Sequence, residues 1–238
     1  MTLFPVVILA GGLGTRMHPY TKTLPKSLLL IEDRPFIDYQ LEWLKSQGIE
    51  KVILLTGHLG ASIQDYVGNG ERYGLRVDYY NEGDNLKGTA GAIEAALAFL
   101  PQFFFVLYGD SYLSVDFAAV QQHFNQCKAR ALMTICRNHN PHHRNNVDFN
   151  GEKILHYDKF PKEQYAYLDY GLLLFNKDIY SPYTGDSKDL SIYIQQAVKQ
   201  NTLAHFVVEQ PFYEVGSIEG MHQFRDFIHE SKLYHRLS

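Results

Sequence analysis

The chain begins with a continuous apolar run that ends in a glycine-rich segment. Residues 4–10 include Val6, Val7, Ile8 and Leu9 and carry no charged side chain. A run of β-branched and aliphatic residues is typical of a central strand that is buried on both faces of a sheet. The pattern therefore predicts a strand here, followed directly by a loop that begins at Gly11.

Apolar runs and segments with helical periodicity alternate through the rest of the chain. Further strands are predicted at residues 51–56, 75–80, 103–108, 168–175 and 203–208. Helices are predicted from Pro35 to Gly48, at 59–67, at 88–97, around Phe117, Val120 and Phe124, at 190–200 and at 218–229. Asn150-Gly151 joins two alternating runs, as a hairpin turn would. This order predicts an α/β fold with a mixed, mostly parallel central sheet that helices cover on both faces.

Composition narrows the class of protein. With 238 residues, 45% hydrophobic and 20% charged, the chain can bury the core of one α/β domain. A net charge of −4 argues against nucleic-acid binding, and no apolar run is long enough to span a membrane. Two cysteines, Cys127 and Cys136, favour reduced thiols in a cytoplasmic protein over a disulfide framework. The eleven histidines, His142 and His143 among them, show no metal-ligand spacing.

The loop after the first predicted strand favours phosphate binding. Gly11, Gly12 and Gly14 lack Cβ atoms, so main-chain N–H groups can close around phosphate oxygens there, and they can adopt backbone angles closed to other residues. Arg16 and Lys26 supply positive charge close behind. A glycine-rich surface turn is the alternative, but an ordinary turn needs only one or two glycines.

Two common phosphate loops do not fit this spacing. A P-loop ends in Gly-Lys-Ser/Thr, whereas Gly14 is followed by Thr15-Arg16, and a dinucleotide fingerprint counted from Gly12 needs a glycine where Met17 stands. The segment instead resembles the opening of the sugar-1-phosphate nucleotidyltransferases, also called nucleoside-diphosphate-sugar pyrophosphorylases. The shared positions are Leu9, Ala10, Gly11, Gly12, Gly14, Thr15, Arg16, Met17, Pro19, Thr21, Pro25, Lys26, Ser27 and Leu28.

The resemblance implies a Rossmann-like three-layer α/β/α nucleotidyltransferase fold. It also implies a reaction in which a sugar 1-phosphate attacks the α-phosphorus of a nucleoside triphosphate and expels pyrophosphate, supplying polysaccharide or glycoconjugate synthesis. Because two polyanions must meet, cations and Mg²⁺ are the main requirement. Arg16, Lys26 and Asp110 are then the expected catalytic residues. The expected nucleotide-binding residues are Leu9, Ala10, Gly11, Gly12, Gly14, Thr15, Arg16, Lys26, Glu82, Gly88 and Thr89.

Two carboxylates are the expected Mg²⁺ ligands. Asp110 follows the predicted strand at 103–108, and ligand sites of open α/β sheets lie at the carboxyl ends of strands. The family carries its metal-binding aspartate at this position. Glu214, in Tyr213-Glu214-Val215-Gly216, resembles the family's late Asp-x-Gly-Thr segment with glutamate in place of aspartate. The alternatives are a capping role for Asp110 and an exposed strand-end position for Glu214. Both are expected to end strands at the same edge of the sheet.

The second half of the chain is expected to bind the sugar phosphate. Asp158-Lys159 resembles the family's Glu-Lys-Pro element, although Phe160 precedes the proline, and a solvated lysine is the alternative. Asp169 and Gly171 resemble the strand on which relatives hold sugar hydroxyls with Asn-x-Gly. Gly109 completes this expected set.

Glu82, followed by Gly88-Thr89-Ala90, resembles the segment that reads the base. A carboxylate can accept hydrogen bonds from guanine N1–H and N2–H together, which favours GTP, whereas an exposed Glu82 is equally compatible with residue statistics. The chain most resembles the short bacterial guanylyltransferases that act on heptose or mannose 1-phosphate, from Leu3 to about Phe224.

The expected organisation is one catalytic domain over residues 1–238, with a nucleotide-binding part to about 130 and a sugar-phosphate-binding part from about 131. The chain is expected to act on small substrates as a monomer or a homodimer. A cytidylyltransferase for a phosphorylated alcohol such as phosphocholine and a non-catalytic, nucleotide-sugar-sensing subunit are the alternatives.

Overall fold

A computed structural model describes residues 2–83, 86–138, 145–180 and 189–237 of the chain. The strands within these ranges are β1 (Val6–Leu9), β2 (Leu30–Ile31), β3 (Arg34–Pro35), β4 (Lys51–Thr56), β5 (Arg76–Asn81), β6 (Phe103–Tyr108), β7 (Ser111–Leu113), β8 (Ala131–Arg137), β9 (Val147–Phe149), β10 (Ile154–Tyr157), β11 (Tyr167–Asn176), β12 (Leu203–Val208) and β13 (Phe212–Glu214). The helices are α1 (Phe36–Ser46), α2 (Gly60–Val67), α3 (Gly88–Ala96), α4 (Phe117–Gln126), α5 (Ser191–Lys199) and α6 (Ile218–Leu237). The pair His142 and His143 lies outside the described residues.

Nine of these strands form one mixed, mostly parallel sheet. β1 lies near its centre, parallel to β4 on one side and to β6 on the other, and β5 continues the parallel order beyond β4. β11 then runs antiparallel between β6 and β8, and β12 pairs parallel with β8. β9 and β10 form the hairpin predicted at Asn150-Gly151 and extend the sheet beside β11. The carboxyl ends of β1, β4 and β6 therefore meet at one edge.

Apolar side chains alternate between the two faces of β1, so each face has its own core. Val6 and Ile8 pack with α1, α2 and α4, whereas Val7 packs with α3 and α5. A third cluster joins α6 to the start of α1 through Phe224 and Phe36. The predicted three-layer α/β/α arrangement is confirmed. No helix in the described ranges combines the length and apolar character needed to cross a bilayer.

The predicted strands and helices are confirmed to within a few residues, and those at 51–56, 103–108 and 203–208 coincide with β4, β6 and β12. The last helix extends beyond its predicted end to Leu237. The sequence pattern did not predict β2, β3, β7, β8 or β13. β7 and β13 are three-residue strands that pair with each other outside the main sheet, and they are too short to show a periodicity.

Gly109 allows the end of β6 to lie against the end of β1. Its N–H donates to the Leu9 carbonyl at 3.0 Å, and a Cβ atom at this position would lie only 2.7 Å from the same oxygen. Contacts below 3.0 Å force the backbone to move. Gly12 differs, because nothing lies within 4 Å of the position of its Cβ.

We therefore predict that Gly109→Ala lowers the free energy of unfolding by about 1–3 kcal/mol, the usual cost of overpacking. Thermal unfolding followed by circular dichroism measures the effect as a lower Tm. Gly12→Ala is the matched control, and its Tm should equal that of the wild type because its Cβ meets open space. Equal Tm values for all three proteins would show that the contact between Gly109 and Leu9 relaxes without cost.

Candidate active site

A cavity of about 230 Å³ lies at the carboxyl ends of β1, β4 and β6. Its lining combines expected nucleotide residues with side chains that the sequence did not single out. The expected ones are Leu9, Gly11, Gly12, Lys26, Glu82, Gly88, Thr89 and Asp110. The others are Leu55, Leu86, Ala92 and Tyr108. Ala10 and Gly109 line a smaller adjoining cavity with Lys26 and Asp110. Gly14, Thr15 and Arg16 lie outside both linings.

The glycines of the loop have three different roles. Only Gly14 adopts a left-handed backbone, with φ of +63°, and its carbonyl accepts from Thr21 Oγ1 at 2.8 Å. A Cβ on Gly11 would lie 3.2 Å from Gly57 N and 3.3 Å from Glu82 Oε1, so this glycine permits a close approach to the end of β4. Gly12 faces open space beside the cavity. Of the three glycines, only Gly14 therefore uses the backbone freedom that the sequence offers.

Two ion pairs join the loop segment to the expected metal ligands. Lys26 Nζ donates to Asp110 Oδ2 in a short contact between side chains that are 20% and 12% exposed. Arg16 Nη2 lies 3.8 Å from Glu214 Oε1, with both side chains more open to solvent. Each carboxylate therefore carries its own cation.

Glu214 lies near Asp110 because of the two-stranded sheet formed by β7 and β13, and not because of the central sheet. β13 pairs antiparallel with β7, which places Glu214 opposite Ser111, and the Val215 N–H donates to the Asp110 carbonyl at 2.7 Å. The prediction that both carboxylates end strands at the same edge of the central sheet is therefore wrong for Glu214. The prediction that they lie close together holds.

Gly216 marks the point where the two carboxylates converge. A Cβ there would lie 3.1 Å from Asp110 Oδ2, 3.2 Å from Arg16 Nη2 and 3.4 Å from Glu214 Oε1, so the two carboxylate oxygens are at most about 6.5 Å apart. Burial, and then the charge of Asp110, raises the pKa of Glu214. Among the described residues, no three His, Cys, Asp or Glu side chains form a metal-binding group of their own. A divalent ion held here would need further ligands from substrate or water.

The far side of the cavity is built from the segment after β5 and the start of α3. Glu82 Oε2 accepts from the Lys87 N–H at 3.2 Å, which leaves Oε1 directed toward Gly11. Gly88 has φ of +75°, and Thr89 Oγ1 accepts from the Leu190 N–H at 2.9 Å. Thr89 therefore also ties α3 to the segment before α5.

Lys159 projects from the loop after β10 and pairs with Asp189. Its Nζ lies 2.5 Å from Asp189 Oδ2. Although burial opposes it, hydrogen bonds from Lys159 and Ser191 lower the pKa of Asp189. Asp158 Oδ1 accepts from the Phe160 N–H at 3.0 Å and so shapes the loop that carries the lysine.

Asp169 is held in β11 where its register with β8 shifts. Its N–H donates to Asn146 Oδ1 at 2.8 Å, and its Oδ1 accepts from the Gly171 N–H at 3.0 Å. Gly171 has φ of +103°, a conformation that suits glycine. Burial raises the pKa of Asp169 to about 6, against hydrogen bonds from Gly171 and Tyr157 that lower it.

Tyr108 and Asp189 are the titratable residues of this region that sequence reasoning missed. Burial raises the pKa of Tyr108, as do the charges of Asp169, Asp189, Asp110 and Glu214, so its ring lies among carboxylates from both halves of the chain. Its place directly before Gly109-Asp110 at a strand end could have identified it. Asp189 stands just before a helix, a position that also fits a structural cap, so no motif distinguished it.

Comparisons with known proteins identify the family and the fold. The profile of the family described as nucleotidyl transferase matches residues 5–231. D-glycero-alpha-D-manno-heptose 1-phosphate guanylyltransferase of Campylobacter jejuni is 29% identical over 219 residues, covering 92% of this chain and 97% of the relative. N-acetylmuramate alpha-1-phosphate uridylyltransferase of Neisseria meningitidis is 35% identical over 144 residues, covering 60% of this chain and 62% of the relative. The crystal structure of HddC from Yersinia pseudotuberculosis complexed with GMP-PN superposes with a TM-score of 0.79 at 22% identity, covering 95% of this chain and 100% of that one.

The raised pKa of Asp169 predicts a pH dependence of stability. The folded protein holds the Asp169 proton up to about pH 6, above the ordinary aspartate value of 3.8, so the ionised carboxylate costs stability as the pH rises through this window. Asp169→Asn removes that cost and can still accept from Gly171. Its gain in unfolding free energy over the wild type should therefore grow by roughly 2 kcal/mol between pH 4 and pH 8, at about 1.4 kcal/mol per pKa unit.

Urea unfolding at the two pH values measures this gain. Asp226→Asn, which removes a carboxylate with 68% exposure on α6, controls for the loss of one surface charge. A constant difference between Asp169→Asn and the wild type at both pH values would contradict a raised pKa.

Proposed function

The chain belongs to the nucleotidyl transferase family, and we propose that it joins GTP to a sugar 1-phosphate, giving a GDP-sugar and pyrophosphate for polysaccharide or glycoconjugate synthesis. An oxygen of the sugar phosphate forms a bond to the α-phosphorus of GTP. The bond from that phosphorus to the oxygen bridging the β-phosphate breaks, and pyrophosphate leaves with the electron pair. The observation that carries the proposal is the pairing of Lys26 with Asp110 and of Arg16 with Glu214 beside the glycine loop.

Charge neutralisation is the main task of such a site. The attacking phosphate is already ionised, so the reaction needs no protein base, but two polyanions must approach each other. Lys26 lines both cavities and lies where it can contact phosphates held by the glycine loop. Arg16 is exposed beside Glu214, within reach of a triphosphate that extends from the loop. The two cations hold and align the phosphates.

Asp110 and Glu214 fit a hard divalent ion such as Mg²⁺. Their oxygens converge beside Gly216, and the raised pKa of Glu214 reflects burial together with repulsion from Asp110, both of which a cation would relieve. When bound, Mg²⁺ supplies neutralisation of the charge that develops on the phosphate oxygens. The chain itself contributes the two carboxylates and keeps them beside the loop.

The internal ion pairs couple nucleotide binding to metal binding. While Lys26 pairs with Asp110 and Arg16 lies near Glu214, neither carboxylate is fully available as a ligand. Arrival of a triphosphate gives both cations new partners with more negative charge. Lys26 and Arg16 would then exchange carboxylate oxygens for phosphate oxygens, and the freed Asp110 and Glu214 would be the residues available to hold a divalent cation.

Glu82 supports guanine as the base. Its Oε1 lies at the wall of the cavity beside Gly11, while its Oε2 is already fixed by the Lys87 N–H. The aliphatic residues Leu55, Leu86 and Ala92 give the cavity an apolar surface for a planar base. The guanylyltransferase relative aligns over nearly its whole length, which supports the same choice.

The sugar phosphate is assigned to the residues that follow β10 and β11. Lys159 supplies a cation for the phosphate, and Asp158 fixes the loop that carries it. Asp169 and Gly171 lie where hydroxyl groups of the sugar could donate to a carboxylate, and Gly109 keeps the end of β6 against the end of β1 beside the smaller cavity. Strands from both sides of residue 130 share the main sheet. We accordingly treat residues 1–238 as one cytoplasmic catalytic domain.

The substrate prediction is tested by pyrophosphate release with GTP, UTP, dTTP and CTP, each paired with heptose, mannose and glucose 1-phosphates and with phosphocholine. GTP with a heptose or mannose 1-phosphate should give the highest kcat/KM, because both oxygens of Glu82 keep a lone pair that can accept from guanine N1–H and N2–H, even with the Lys87 N–H on Oε2. A preference for UTP or dTTP would overturn the base assignment while leaving the reaction class intact. CTP with phosphocholine as the best pair, or no pyrophosphate from any pair, would favour the cytidylyltransferase or the sensing subunit.

If nucleotide binding and metal binding are coupled through the ion pairs, Lys26→Gln should raise the affinity for Mn²⁺ and lower turnover. Without nucleotide, Mn²⁺ should bind more tightly than to the wild type, because Asp110 has lost its internal cation. Turnover should nevertheless fall by about 10²-fold or more, as when one charge-stabilising donor is lost from an active site. Electron paramagnetic resonance of free Mn²⁺ and a pyrophosphate assay give the two values.

Lys22→Gln is the matched control for this prediction. Lys22 lies four residues before Lys26 on the exposed surface, and its replacement should change neither value. Weaker Mn²⁺ binding by Lys26→Gln would mean that Lys26 supports the metal site rather than competing for it.

A further inference from the structure

Asp110 is presented by a two-residue turn between β6 and β7. The turn is anchored at its centre, because the Gly109 N–H donates to the Leu9 carbonyl at 3.0 Å and the Asp110 carbonyl accepts from Val215 at 2.7 Å. The carbonyls of the flanking residues, Tyr108 and Ser111, are directed toward α1. Buried carbonyls that lack a partner are costly, so the partner of these two oxygens determines how the turn sits.

One side chain of α1 satisfies both flanking carbonyls. Gln40 is 1% exposed, and its Nε2 donates to the Tyr108 carbonyl at 3.0 Å and to the Ser111 carbonyl at 2.8 Å. The amide thus joins the residue before Gly109-Asp110 to the residue after it. Rotation of the turn would break one of these hydrogen bonds.

The two ends of the Gln40 amide differ, because its nitrogen has two partners and its oxygen has none among the described residues. Its Oε1 is buried and receives no hydrogen bond within the described part of the chain. Gln121 on α4 offers a comparison, because it is equally buried and pairs both ends of its amide. Its Nε2 donates to the Thr2 carbonyl at 3.0 Å, and its Oε1 accepts from the Phe4 N–H at 2.7 Å. Gln40 leaves its acceptor unpaired and commits both donors to the turn.

We propose that Gln40 is a positioning residue for Asp110, which holds the turn so that the carboxylate stays directed toward Lys26 and Glu214. This inference deepens the proposed function and rests on it for the role of Asp110. Gln40 itself is not among the residues that line either cavity. It acts through the backbone on both sides of Asp110.

The test compares Gln40→Met with Gln121→Met. Both variants remove a buried amide of equal exposure and two backbone hydrogen bonds, but Gln121 lies near the amino end of β1, opposite the site. Both should lower Tm. Only Gln40→Met should weaken Mn²⁺ binding and lower kcat, each by about 10- to 100-fold, as is common when a group that orients a metal ligand is lost. Its KM for the triphosphate should change much less, because the glycine loop and Lys26 remain.

Equal Mn²⁺ affinity of the wild type and Gln40→Met would overturn the inference, whatever turnover shows. A parallel loss in Gln121→Met would also overturn it, because the effect would then follow stability. If Gln40→Met does not fold, Gln40→Asn serves, since its shorter amide can reach only one carbonyl and should give a smaller loss of Mn²⁺ affinity. Failure of the wild type to release pyrophosphate from any substrate pair would contradict the proposed function. The comparison of Mn²⁺ affinities would still test whether Gln40 positions Asp110.

Discussion

The ion pair between Lys26 and Asp110 is the interaction on which the site depends. Both side chains are largely buried, and a buried charge without a partner is strongly destabilising, typically by about 3–5 kcal/mol when one partner is removed. The structure therefore holds these two charges as a neutral pair, and in the proposed function the phosphates of the substrates separate them. The pair at Arg16 and Glu214 repeats this arrangement nearer to solvent, where the attraction is weaker.

The fold brings these charges together by two different routes. Parallel strands deliver the glycine loop and Asp110 to one edge of the sheet, and Gly109 lets the two strand ends approach closely. Glu214 arrives from the far end of the sequence on a separate two-stranded sheet, which the Val215 N–H fastens to the Asp110 carbonyl. The second route lets the later half of the chain complete a site begun by the first.

The sequence allowed most strands of the main sheet, the six helices and the loop to be predicted because each shows a periodic or ordered pattern over several residues. Short elements escaped prediction, since three residues such as Phe212–Glu214 show no periodicity. Tertiary partners escaped it as well. The sequence around Gln40 indicates only an amphipathic helix. Its hydrogen-bond partners, the carbonyls of Tyr108 and Ser111, lie 68 and 71 residues away along the chain. The sequence predicted that the glycines form a loop, but not the role of each one. Whether a Cβ would clash at Gly11 or meet open space at Gly12 depends on neighbouring residues that the local sequence does not reveal.

Long ordered sequence patterns can be recognised, whereas contacts made by single residues cannot. For this reason the reaction class can be inferred more firmly than the substrate. Phosphate chemistry needs many residues in a fixed order, and relatives that use different bases share the family. In the proposed function, recognition of the base rests on few groups. One of them, Glu82, already accepts a hydrogen bond from the Lys87 N–H with one of its oxygens. In the proposed function Asp169 and Lys159 recognise the sugar phosphate, and Lys159 pairs with Asp189 in this structure. A sugar phosphate bound by Lys159 would then compete with that ion pair. A site built on exchange of partners, at Lys26, Arg16 and Lys159 alike, favours ligands that offer more negative charge than the carboxylates they displace.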